Sequence, residues 1–139
     1  MELNSLLKEA QEDMTTWIDF KDIEICVRYV DKVSFQKLVD RCKKQKWERH
    51  QPVEKVDQSL LERAMAGLIA DWKGLTVAKA AKLLPIEIGT QDPDAVVECT
   101  ETNRITMIQH CYGLEDFLID TVTNLQLFRI DKLEQEVKN

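Results

Sequence analysis

Ser59-Leu-Leu-Glu-Arg-Ala-Met-Ala-Gly-Leu-Ile-Ala-Asp-Trp-Lys-Gly74 is the stretch on which the fold turns. Leu60, Leu61, Ala64, Met65, Leu68, Ile69 and Trp72 recur at three- and four-residue steps, the spacing that gathers side chains on one face of a helix. Ser59 and Glu62 stand at capping-box spacing, and Asp57 is an equally good cap. Gly74 supplies the left-handed residue that stops a helix. The spacing predicts one helix ending at Trp72, with the indole in the core, and a chain built around it reads as mainly α.

Working upstream, Ser34 caps a helix carrying Phe35, Leu38, Val39 and Cys42 on one face, which runs into a basic stretch from Arg41 to Arg49 and is closed by Pro52. Before it, Ile23, Ile25, Val27 and Tyr29 alternate with Glu24, Cys26 and Arg28, a period of two that predicts a short strand or extended arm. Leu3, Leu6, Leu7, Ala10, Met14, Trp17 and Ile18 have helical spacing, so residues 1–20 read as an amphipathic helix or arm. Downstream, Thr76 caps an Ala-rich helix that Pro85 ends, and residues 86–100 carry no helical period. A helix from Thr102 to Tyr112, a stop or bend at Gly113 and a closing helix from Leu114 complete residues 21–130; residues 131–139 form a charged tail. The expected architecture is a small single-domain helical bundle with at most a short two-stranded element.

The chain has 139 residues, 44% hydrophobic and 32% charged, enough to bury one core and not a disordered composition. Its net charge of −6 disfavours nucleic acid and anionic lipid as main partners. No apolar run approaches the length of a membrane helix, and the acidic N-terminus lacks signal-peptide character, so the expected compartment is the cytoplasm. Cys26, Cys42, Cys99 and Cys111 form no CxxC pair, and neither zinc nor a redox dithiol is expected. Gly67, Gly74, Gly89 and Gly113 are too dispersed for a phosphate loop, which leaves no expected cofactor. His110 and Cys111 are adjacent and point about 100° apart on a helix, which prevents a Cys–His dyad. Glu115/Asp116 and Asp92/Asp94 read as helix-start and turn carboxylates. No catalytic set emerges, and the chain reads as a protein without enzymatic activity.

Two surfaces stand out as candidates for binding. Lys43, Lys44, Lys46 and Arg49 surround Trp47, an aromatic anchor inside a rim of charge suited to an acidic partner; the plainer reading is a solvated helix face. Leu3, Leu7, Met14 and Trp17 form an apolar stripe through which copies of the chain can associate.

Leu68-Ile-Ala-Asp-Trp-Lys-Gly-Leu75, then Leu84-Pro-Ile86, a polar loop, the Asn103–Tyr112 helix and Gly113-Leu-Glu-Asp-Phe117 follow one another in an order that resembles the tail assembly chaperones of long-tailed bacteriophages and prophages. Upstream, Val-Arg-Tyr-Val, Ser34 and the basic Lys37–Trp47 segment extend the resemblance, which covers Glu24 to Leu127. Trp72, Gly74 and Leu75 carry its most characteristic step. The resemblance implies a small, mainly helical, non-enzymatic protein that binds the tape-measure protein, keeps it soluble, helps tail-tube subunits polymerise and is then displaced. In that family a longer frameshifted product can arise, and this chain would correspond to the short form. The competing expectation is a helical adaptor or regulatory protein of a bacterial host with an unrelated partner.

Overall fold

The computed structural model describes residues 2–3 and 14–129. Five strands and five helices are labelled here in chain order, and the mainly helical bundle expected from periodicity gives way to a mixed α/β fold with two antiparallel sheets. β1 (Thr15–Phe20) and β2 (Ile23–Arg28) form a hairpin, and β5 (Ile69–Lys73) pairs antiparallel with β2, so the order is β1-β2-β5. α1 (Lys32–Arg41) leads into a separate hairpin of β3 (Lys43–Glu48) and β4 (Gln51–Val56). α2 (Gln58–Ala66), α3 (Val77–Leu83), α4 (Glu101–His110) and α5 (Leu114–Val122) complete the set, with a further helical turn at 125–129.

The decisive correction falls on the stretch ending at Trp72. The helix capped by Asp57 ends at Gly67, and the chain re-enters the sheet as β5. Trp72 lies opposite Ile25, Asp71 opposite Cys26, but Ile69 rather than Ala70 lies opposite Val27. The extra residue is a β-bulge, and it inverts the alternation, so Ile69 and Trp72 both face the core although they stand three apart. A bulged strand thereby carries the spacing of a helix. Trp72 is buried as expected, 6% exposed, and its indole N–H donates to the Val97 carbonyl at 2.8 Å. Gly74, at φ +78°, ends a strand rather than a helix.

The second correction falls on the N-terminal helix. Thr15 to Phe20, including Trp17 and Ile18, are β1, and Tyr29 N–H donates to the Met14 carbonyl beside it. Leu7 and the rest of residues 4–13 lie outside the described residues. A period-two reading is available here too, because Thr16, Ile18 and Phe20 share the face turned to the core, and pairing with β2 selects it.

One face of the sheet, with Phe20, Ile23, Ile25, Val27, Ile69 and Trp72, packs against the helical layer, where Met65, Met107, Leu114, Leu118 and Val122 are buried. Phe20 meets Phe117 at a ring separation of 4.9 Å, and Val30 N–H donates to the Val122 carbonyl, tying the end of β2 to α5. Gly113, at φ +86°, makes the abrupt turn between α4 and α5. Just beyond β5 the 95–97 segment pairs with Leu75–Val77: Thr76 and Val96 form a bridge, the Val97 N–H donates to the Leu75 carbonyl and the Val77 N–H to the Ala95 carbonyl.

Candidate functional site

The basic run is not the exposed face of a helix. Only Lys32–Arg41 is helical there, with Asp31 rather than Ser34 as the cap: its carboxylate accepts from the Ser34 N–H at 2.7 Å. Buried Cys42 ends the helix, and Asp57 N–H donates to its carbonyl at 2.7 Å, closing the base of the β3–β4 hairpin. Arg49 and His50 form the two-residue turn, both at positive φ (50° and 65°), the geometry that matches the twist of paired strands. The pair lacks the Asn-Gly or Asp-Gly signature of such turns, which is why the turn is not legible in the sequence.

Every residue of β3 is exposed, and in β4 all but half-buried Val53. The hairpin therefore contributes nothing to the core and presents two faces to solvent. Register sorts its side chains: Lys43, Gln45 and Trp47 share one face with Pro52, Glu54 and Val56, while Lys44, Lys46 and Glu48 share the other with Gln51, Val53 and Lys55. The cluster proposed from sequence is thus divided. Trp47, 73% exposed, stands directly opposite Pro52, and Val56 extends an apolar strip along that face. Lys44 and Lys46 point the other way, and Arg49 is at the tip. Pro52, Val56 and Lys55 belong to this surface and were missed, because nothing in a one-dimensional reading pairs β4 with β3.

Ion pairs distinguish the cations. Lys43 reaches Asp40 at 3.1 Å, Lys44 reaches Asp57 at 3.3 Å, and Lys55 pairs with Glu48. The Lys43 ammonium beside Asp40 holds that carboxyl below the ordinary carboxylate range. The Leu60 N–H, then Lys44, hold Asp57 below it as well. Among the described residues Lys46 and Arg49 have no ion-pair partner. An open depression of about 520 Å³ on α1 is lined by Lys37, Asp40 and Arg41.

Of the apolar stripe proposed for self-association, Leu7 lies outside the described residues, and Met14 and Trp17 are not helical. Leu3 is exposed; Met14 packs against the core; Trp17 lies on the outer face of the sheet, its ring 4.1 Å from the Lys73 ammonium. Trp72 and Leu75 are core residues and Gly74 a backbone requirement, so the motif shared with the resemblance is structural in this chain. Of Phe117, Thr121 and Leu125, an alternative surface at the closing helix, Phe117 packs on Phe20 and the Thr121 hydroxyl donates to the Phe117 carbonyl, while Leu125 is exposed.

Among the described residues no group of three or more His, Cys, Asp or Glu could hold a metal ion. His110 is exposed while Cys111 is buried, so adjacent residues point apart. Asp92 accepts from the Asp94 N–H, the turn role its spacing suggests. No disulfide joins the four cysteines, and burial pushes the thiols of Cys42, Cys99 and Cys111 up, away from the reactive thiolate. No described helix is long and apolar enough to cross a membrane. No protein family, no curated protein and no solved structure matches the chain.

Proposed function

We propose that this chain is a non-enzymatic tail assembly chaperone that holds the tape-measure protein, with the Trp47 face of the β3–β4 hairpin as the contact surface. One observation carries the binding reading: a tryptophan 73% exposed, set opposite an exposed proline on a hairpin that gives no residue to the core. An indole left in water on a projecting element costs solubility and serves no core, which is the profile of an interface anchor. The resemblance in motif order supplies the identity of the partner. A long amphipathic helix presents apolar residues that aggregate unless covered, and the Trp47–Pro52–Val56 strip, flanked by Lys43, suits the apolar edge of such a helix.

Coexpression with a tape-measure fragment tests this. The parent chain should keep the fragment soluble and copurify with it. Trp47→Ala should weaken retention by about 2 kcal/mol, roughly thirtyfold in Kd, with an unchanged circular dichroism spectrum. A parent chain that neither retains nor solubilises the fragment would remove the chaperone reading and leave a binding module for a different partner.

A further inference from the structure

Charge is segregated along this fold. Residues 32–56, which are α1 and the β3–β4 hairpin, hold eight of the 19 Lys and Arg but only three of the 25 Asp and Glu. They carry +5, against −11 for the remainder. At the other extreme, residues 105–128 contain no Lys or Arg at all and three carboxylates, Glu115, Asp116 and Asp120, all on α5. Asp116, Ile119 and Asp120 are exposed, at helical spacing that puts them on one side of α5, because Leu118, Thr121 and Val122 occupy the side facing the core.

We propose that this protein self-associates head to tail, the Lys46 face of the hairpin of one copy seating on the Asp116–Ile119–Asp120 face of α5 in the next. The two surfaces match in composition: Lys46 stands opposite half-buried Val53, with Arg49 at the tip, and Ile119 stands between two carboxylates. They are also unspent within a copy. The hairpin's ion pairs run to Asp40, Asp57 and its own Glu48, and among the described residues no ion pair uses Lys46, Arg49, Asp116 or Asp120. The overall charge of −6 does not prevent the contact, because at physiological salt charges beyond about 8 Å are screened and the facing patches decide. The patches are different surfaces, so the interface is heterologous and each copy keeps a free end, giving chains or a closed ring. Trp47 lies on the opposite face of the hairpin, and the proposal does not rest on the tape-measure reading.

Sedimentation velocity of the full chain tests it. At about 50 mM salt the weight-average mass should rise with concentration above the 16.2 kDa monomer, and at about 500 mM it should return toward it. Lys46→Glu with Arg49→Glu should stay monomeric at low salt, and so should Asp116→Lys with Asp120→Lys. An equimolar mixture of these two variants restores opposite charge at both contacts and should associate again. Because lysine near a helix start can disturb α5, Asp116→Asn with Asp120→Asn is the milder arm: it should weaken association about tenfold or more while circular dichroism is preserved. A parent chain that remains at 16.2 kDa at low salt, a variant pair that assembles like the parent, or a mixture that fails to recover would each overturn the proposal. Trp47→Ala should associate like the parent, which separates this test from that of tape-measure binding.

Discussion

Trp47 and Trp72 are the same side chain in opposite physical situations. Trp72 fills the core and donates its N–H to the Val97 carbonyl, so Trp72→Ala removes packing and takes the indole donor from that carbonyl. It should cost about 3–5 kcal/mol in chemical denaturation, and Trp47→Ala less than about 0.5. Sequence spacing puts Trp72 inside and leaves Trp47 among charges, at least partly exposed; Trp72 is buried and Trp47 is exposed. Asp57 was legible too, as a cap; its ion pair with Lys44 was not, since that depends on the hairpin folding back beside α2. Its carboxyl lies below the ordinary range in the folded chain, so the folded state holds its proton less tightly than the unfolded chain does. The stability it contributes is full above about pH 4 and is lost as pH falls through the depressed value. The thermal midpoint should therefore drop on acidification below about pH 4, and Asp57→Asn should blunt that drop.

At the scale of elements, turns separate the legible from the illegible. Gly113 announced itself, and its φ of +86° explains why a residue without Cβ stands between α4 and α5. No atom lies within 4 Å of an added Cβ, so Gly113→Ala should cost only the backbone term, about 1–2 kcal/mol. The Arg49-His50 turn gave no such signal, yet both residues sit in left-handed backbone. His50→Gly should relieve up to about 1 kcal/mol there, a gain in stability where most substitutions lose it, read as a higher denaturation midpoint. α3 and α4 were anticipated within a residue or two, because Thr76 and the threonines near 100 are local caps. β1, β3, β4 and β5 were not. Each is a strand whose identity rests on a partner elsewhere in the chain, and β5 in addition carries a bulge that imitates helical spacing.

For the whole molecule, composition set the boundary conditions: one domain's worth of apolar residues, four cysteines with no CxxC pair, dispersed glycines and a segregated charge whose basic part is a contiguous segment. The buried set was largely readable as well, since Ile23, Ile25, Val27, Leu68, Ile69, Trp72, Leu118 and Val122 are apolar residues at regular spacing whichever element carries them. What each element is could not be read that way. Helix hydrogen bonds close within four residues, so a helix is specified by its own segment and its caps; strand hydrogen bonds close across the fold, between β2 near residue 25 and β5 near residue 72. The same dependence divided the candidate site, because alternation about a paired hairpin sends Trp47 and Lys46 to opposite faces where a helix would have left them neighbours on a charged surface. The sequence by itself determined most of the side chains that leave water and, through local caps such as Asp57 and Thr76, where some helices start. The tertiary structure decided which apolar segments become strands and which charges share a face, because both depend on pairing between residues far apart in the chain.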